Sequence, residues 1–597
     1  MEYTSKEVYE YVSKKSNDPI VEWKKCRISW QDFPIYKSDI EFYDKVSPIF
    51  EVSESYANEF LKKNNDVKDS FEYKDWKLKA KIPTPTLCPE ERERRRFSFM
   101  NEQCLYKRKC DNSWKNLIGI FSPDKDYIVY DQAFWRTFNR NIYEINSYQW
   151  NFKDNISELL FHTPIANRAV LNCENSNYAN QVRETKNSYM CFNCIDIEDC
   201  LYVYKWVSHN QNCVDCDKID HCSACFSSIQ LRNCMSLFFC QNCSDCSNSY
   251  YLLNCVWCHD CFNCNNLVNK SYCINNKQYT KQEYQEILPK VKKWIIGTYW
   301  VVKHIWYTQK DCDVSFWDNL VWCKKTSFCY ELTNCENVKY SWDVMGMKDT
   351  YDTRWINAQF CLESYLAWED HHCWFLFESR SNIDSRYCIY CHNSKNIFWC
   401  VWLKNKEYCI YNKEYTKEEY NQIVPEIIAQ MIRNEEWWEF FNPSIAFYWY
   451  NETMAMEKYP LTKQEALKMW YKRSDYVAPF PKVEKTVLWK QLPKQWCKII
   501  KEKKPEILEK ILNYAIICEV SKRPFRITKQ EIEFYIKHNL PLPIKHPDIR
   551  HQERFAKKNP TVMHLMNCDE CWEEILSVHN KWEWKKILCE KCFYKNM

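Results

Sequence analysis

The chain has 597 residues, a formal net charge of +4 from 83 Lys/Arg against 79 Asp/Glu, and 37 cysteines. This length predicts about two to four domains, and so even a charge balance gives no global field for nucleic acid or a membrane. The polar start (MEYTSKEVYEYVSKK) and the lack of any run of about 18 apolar residues argue against a signal peptide or membrane span. A cytoplasmic, reducing location is therefore expected, with cysteines as thiols or metal ligands.

Glycine is the anomaly. A chain of this size should carry roughly forty, yet only Gly119, Gly297 and Gly346 occur, against 28 tryptophans. Several Trp stand where a turn through positive φ wants glycine: Trp572 after a C-x2-C pair, Trp114 in CDNSW and Trp30 in CRISW. The expectation is that UGA encodes glycine in this gene and is rendered here as Trp.

In chain order, residues 1–160 read as a degenerate zinc-ribbon-like module. Cys26 and Cys88 sit in C-x2-S and C-P-x-E contexts, so Ser29 and Glu91 occupy places where paired cysteines would complete a zinc site. Arg92, Arg94, Arg95, Arg96, Lys107, Arg108 and Lys109 form a basic patch that could contact phosphates. The alternative is a solvated face paired with Glu90, Glu91 and Glu93.

Residues 165–275 are a cysteine-rich repeat array, and 17 of the cysteines lie between Asn172 and Cys273. Asn-Cys pairs at Cys213, Cys234 and Cys255 recur every 21 residues, as do Cys222, Cys243 and Cys264. Stacked units of a right-handed parallel β-solenoid are expected, with internal ladders of Asn and Cys. Cys213, Cys216, Cys222 and Cys225 are the candidate zinc ligands inside the array. Cys255, Cys258, Cys261 and Cys264 approach a ferredoxin spacing but lack its terminal Cys-Pro, so an iron–sulfur cluster is disfavoured.

A helical connector follows (276–310), then a diverged second array (311–410). The duplication shows in NKSYCINNKQYTKQEY, which returns as NKEYCIYNKEYTKEEY. WEDHHC, around His371 and His372, is its densest polar cluster and reads best as an exposed turn. Residues 411–515 are helical and linker sequence, in which Thr462 and Glu465 spell a capping box. Residues 516–597 echo the N-terminal module: Cys518 matches Cys26, and His546-Pro547 matches Cys88-Pro89. They end in Cys568, Cys571, Cys589 and Cys592, the C-x2-C-x17-C-x2-C spacing of a structural zinc ribbon. The equivalent N-terminal positions are Cys110, Ser113, Tyr130 and Ala133.

These phrases together (CRISWQDF, PTPTLCPEERERRR, NEQCLYKRKCDNSWK, FSPDKDYIVYDQAFW and the CDEC…CEKC tail) resemble a family of cysteine-rich zinc-ribbon and repeat proteins from small uncultured bacteria, some labelled CaiB/BaiF. The resemblance implies zinc-ribbon modules and no particular activity. No CoA-binding motif, nucleotide loop or nucleophile elbow is present. The fold class expected is mainly β, with duplicated parallel β-solenoid arrays joined by short helices and flanked by zinc-ribbon or treble-clef-like modules. The function expected is a non-enzymatic zinc-binding scaffold offering a protein partner the solenoid face. The alternatives are a nucleic-acid-binding protein that uses the basic patch and ribbons, and an enzyme acting on a polymer along the solenoid groove.

Overall fold

The computed structural model describes residues 2–137, 143–145, 152–295, 309–310, 312–313, 315, 320–365, 368–476, 483, 485–492, 505–579 and 586–595. Part of the connector expected at 276–310 and part of the linker expected at 411–515 lie outside them.

A parallel β-solenoid of about 18 turns occupies residues 170–410. Stacked partners stand one rung apart: Ala179 pairs with Cys191, Ile229 with Gln241, Met235 with Ser247 and Lys395 with Glu407. The same step of 12 residues separates Asn242 from Asn254 and Asn254 from Asn266. The spacing of 21 read from the cysteines is therefore not the stacking period. It is a multiple of three, and three residues make one side of the rung. Every third residue takes the left-handed conformation, as at Asn212, Asp215, Lys218, His221, Ala224, Ser227 and Gln230. The next residue points inward (Cys213, Cys216, Cys222, Cys225) and the one after carries the bridge to neighbouring rungs. Four such sides close a rung, so Cys213, Cys234 and Cys255 share an inward direction but not a column. Cys222 stacks instead under Cys234, which stacks under Cys246 and Cys258.

Each side makes two ladder bonds. The bridging residue donates to the inward residue 11 ahead (Ser223 N to Cys234 O, 2.9 Å), and the left-handed residue donates 13 back (Ala224 N to Gln211 O, 3.0 Å). The inward residue's own N–H then faces the interior and needs an acceptor there. Small polar side chains one rung earlier supply it: Cys240 N reaches Ser228 Oγ (3.0 Å), Cys258 N reaches Cys246 Sγ (3.4 Å) and Cys222 N reaches Asn210 Oδ1 (2.7 Å). The thiols donate in turn to carbonyls, as Cys213 does to Gln211 O and Cys222 O. Cys, Ser, Thr and Asn thus serve one purpose inside: they fill a narrow core and accept its inward amide hydrogens.

At the corners the left-handed residues form amide ladders: Asn242 donates to Asn254 (3.1 Å), Asn254 to Asn266 (3.2 Å) and Asn393 to Asn405 (2.6 Å). Asn tolerates this conformation better than most residues. Tryptophan does not, yet ten Trp among the described residues have positive φ, including Trp257, Trp322, Trp399 and Trp402 at solenoid corners.

Both arrays end alike. The hairpin Cys273–Ile274/Lys277–Gln278 leads into the helix Lys281–Ile295, and Glu407–Ile410/Lys413–Glu414 leads into Lys417–Arg433. Thr280 with Glu283 and Thr416 with Glu419 make matching capping boxes. The helices cover the last rungs, which blunts exposed sheet edges. Thr462 and Glu465 form the capping box expected for Lys463–Lys468.

The two terminal modules also correspond element for element. The hairpin Ile20–Lys25/Asp32–Tyr36, the helix Lys37–Val46, the helix Pro89–Phe97 and the hairpin Tyr106–Lys109/Asn116–Gly119 match Tyr514–Ile517/Pro524–Phe525, Lys529–His538, Pro547–Phe555 and His564–Asn567/Glu574–Ser577. Each docks through its Pro-initiated helix onto a left-handed aspartate of a solenoid, and the docking is crossed. The N-terminal helix holds the second array: Arg92 spans both Asp352 oxygens (3.1 and 2.9 Å), and Arg96 reaches Asp352 (3.2 Å) and Glu363 (3.5 Å). The C-terminal helix holds the first: Arg550 pairs with Asp215, and Arg554 with Asp215 (3.1 Å) and Asp217 (2.8 Å). Between the arrays, Lys218 joins Glu331 (2.7 Å) to Asp343 (2.8 Å), and Gln230 donates to Glu331 (2.6 Å). Removing one partner of such buried pairs costs about 3–5 kcal/mol, because the other charge is left uncompensated.

This placement corrects the reading of the basic patch. Arg92, Arg94, Arg95 and Arg96 are at most 6% exposed and engage Asp352, Glu363, Glu439 and Glu91, so a phosphate backbone has no access to them. Lys107 and Lys109 are exposed, and Arg108 is half-buried against Asp111.

Holding an ordinary side chain in the left-handed region costs about 1–2 kcal/mol. Trp30→Gly, Trp114→Gly and Trp572→Gly, at exposed turns, should each stabilise the chain by about 1 kcal/mol in urea unfolding.

Candidate metal centre

The C-terminal knuckle is built by its backbone. Cys568 N donates to Glu573 O (2.8 Å) and Trp572 N to Cys568 O (3.0 Å), with Trp572 at φ 61°, so the loop after the strand His564–Asn567 curls around the Cys568 sulfur. Cys589 precedes the helix Glu590–Lys595, and its N–H points at Cys568 Sγ (3.2 Å). Cys571 and Cys589 sulfurs are 3.5 Å apart, and all four sulfurs lie within 4.8 Å of one another. A tetrahedral zinc with Zn–S about 2.3 Å wants sulfurs about 3.8 Å apart, so the donor set fits by chemistry and by size. Burial opposes a charge on Cys568, but N–H groups of Cys571, Cys589 and Glu570 outweigh it and bring the thiol down to about 6. Thiolate is the form that binds metal.

The same knuckle recurs three times without its full ligand set. At Cys26, Trp30 N donates to Cys26 O (2.9 Å); Cys88 lies opposite, with Ser29 Oγ 3.6 Å from Cys88 Sγ. The fourth position, Glu91, is turned into Tyr3 (2.8 Å) and Arg94. A hydrogen bond from Cys88 holds Cys26 down at about 4 and pushes Cys88 well up. Two thiols and a hydroxyl, with the carboxylate engaged elsewhere, do not make the four-ligand cage structural zinc requires. At Cys110 a single thiol accepts Asp131 N (3.3 Å). At Cys518 the thiol accepts Ser521 N (3.4 Å) and His546 N (3.2 Å), and His546 spends Nδ1 on capping its helix at Asp548 N. In these three knuckles hydrogen bonds stand where a metal would.

The four cysteines proposed as ligands inside the first array do not form one four-sulfur cluster, although Cys225 touches both Cys213 and Cys222. Cys213 and Cys225 stack in one column, while Cys216 and Cys222 lie on other sides of the rung; all four are at most 2% exposed, and each donates to a carbonyl. Cys255, Cys258, Cys261 and Cys264 likewise point inward from four successive sides. In WEDHHC, Asp370 is an interior residue bound to Asn382, and burial pushes its carboxyl up to about 7. His372 pairs with Asp384 one rung away (2.6 Å).

Among the described residues one further group could ligate a metal: His209, Asp220 and His221. Sequence reading missed it because its signal is a pair of histidines one rung apart, which has no meaning until the rung length is known.

A second polar cluster is structural. His551 sits between Asp217 Oδ1 (3.1 Å) and Glu457 Oε1 (2.8 Å), and Glu457 also binds Lys205 (2.8 Å). Burial works against the imidazolium, but the two carboxylates raise its pKa. No helix among the described residues is long and apolar enough to cross a membrane. Set against known proteins, the chain matches no protein-family model and no curated protein.

Two outcomes follow from these sites. Elemental analysis after dialysis should find about one tightly held metal equivalent per chain, lost in Cys571→Ser/Cys589→Ser and kept in Cys26→Ser/Cys88→Ser. Because the folded pKa of His551 is raised, its contribution to stability is complete below about pH 6.5, the unfolded value, and fades as pH rises through the folded one. The urea midpoint of the native chain should therefore fall toward that of His551→Gln as the buffer is made more alkaline.

Proposed function

We propose that the chain is a non-enzymatic, zinc-binding scaffold whose solenoid face receives a protein partner. Zinc is the ion the four-thiolate set at Cys568, Cys571, Cys589 and Cys592 suits best. The observation that carries the scaffold reading is a division of labour among the surfaces of the first array. Its aromatic side is covered by the C-terminal module, and its Lys218 and Gln230 corner by the second array. Its remaining sides stay open as columns that repeat once per rung, with Arg232, Asn233, Met235, Asp245 and His259 all exposed. Most charged residues near the centre are tied into ion pairs between parts, the arrangement of a rigid support. The nucleic-acid alternative loses four of its seven cations to buried ion pairs.

The tryptophans at left-handed turns support the companion inference that they are glycines in the native protein, through UGA read as glycine. UGG codons at Trp30, Trp114 and Trp572 would overturn it.

The scaffold reading is tested by recovering the tagged full-length chain from its own cells. A stoichiometric protein partner should come with it and be lost in Met235→Asp/His259→Asp, with metal content unchanged. Recovery of RNA or DNA instead, abolished by Lys107→Glu/Lys109→Glu, would favour the alternative.

A further inference from the structure

The exposed corner of the first array carries Asp196, His209, His221, Asn233 and Asp245 in one column, every one of them left-handed. Elsewhere along it the corner is closed by ladder bonds, such as Asn233 to Asp245 (3.0 Å). At the two histidines the pattern changes. Their rings stack with centroids 4.4 Å apart and 20° between planes, and neither supplies the other with a ladder bond. Their polar contacts run to carboxylates: His221 Nδ1 lies 2.9 Å from Asp220 Oδ1, and His209 Nε2 lies 3.7 Å from Asp196 Oδ2. Asp220 is itself held by the Ser208 hydroxyl of the adjacent rung.

The backbone makes a specific adjustment here. Phe192 pairs with Tyr204 at the usual offset, but Cys194 pairs with Val207, one residue further along, so the strand Leu201–Gln211 holds one extra residue between Tyr204 and Ser208. That bulge brings Asp196 into the histidine column, which the regular repeat would not do. One donor atom from each of His209, His221 and Asp220 then lies within 4.8 Å of the others.

The geometry points to a second metal site at this corner, one for a borderline divalent transition cation such as zinc, copper(II) or nickel, for which two imidazoles and a carboxylate are a fitting donor set. Asp220 supplies the carboxylate of that set, with its Oδ1 2.9 Å from His221 Nδ1. Asp196 sits at the edge as an additional oxygen donor. The site is open to solvent, so its ion keeps water ligands and exchanges faster than one enclosed by four thiolates. It is independent of the thiolate centre, which lies on the C-terminal hairpin.

Zinc and cobalt(II) titrations of the full-length chain test it. With the thiolate centre filled, a further equivalent should bind, and cobalt there should add d–d absorption without new thiolate charge transfer. His209→Ala or His221→Ala should abolish that equivalent, and Asp220→Asn should weaken it about ten- to hundredfold. The histidines are exposed, so these variants should keep the native far-UV spectrum and the first equivalent. A further equivalent that survives both histidine substitutions, or none up to about millimolar zinc, would overturn the proposal.

Discussion

A left-handed residue at every third position is the constraint on which this protein rests. It turns the chain after each short side, so four sides close a rung and leave room inside for only four side chains. A core that narrow cannot hold alternating large residues as a sandwich does. It selects Cys, Ser, Thr and Asn, with Val and Leu where volume allows, and the same geometry turns one amide hydrogen per side inward. The abundance of thiols follows from both demands. They are small, they pack as hydrophobes, and they also accept the inward N–H and donate to a carbonyl. Much of what looks like a store of metal ligands is a hydrogen-bonded lining.

Part of this was legible in the residues themselves. The parallel solenoid, the duplication and the C-terminal group of four cysteines could be read directly, because a repeated phrase and a C-x2-C pair act over short stretches. The rung length could not. Every spacing between cysteines of the regular region is a multiple of three, and 21 was the multiple that recurred, although 12 is the one the backbone stacks. The arginines around Arg94 misled for a different reason. A run of like charge reads as a surface when the answering carboxylates are far away in sequence, and Asp352 and Glu363 stand more than two hundred and fifty residues on. The tryptophan anomaly was visible in composition, and the positive φ that the turn contexts of Trp30, Trp114 and Trp572 call for is present at all three.

The four knuckles form a series in which the backbone outlasts the ligands. At Cys568 four sulfurs converge; at Cys26 two remain with a serine; at Cys518 and Cys110 a single thiol accepts amide hydrogens. In each, the cysteine backbone still closes the turn, and neighbouring packing supplies what a metal would otherwise contribute to holding the module. In the N-terminal module the helix Pro89–Phe97 is fixed by Arg92 and Arg96.

The crossed docking also sets the order in which the molecule can be assembled. The N-terminal helix emerges from the ribosome first, but Asp352, to which Arg92 binds, lies 260 residues later. The C-terminal helix must reach back to Asp217, 337 residues earlier. A solenoid can grow rung by rung from local contacts, while contacts of such long separation close slowly. Until both helices are seated, the acidic corners of each array and the arginines meant for them stay hydrated and apart. Such separations favour an order in which the arrays form first as two half-finished columns and their charges are buried last, as each end of the chain closes over the array nearer the other.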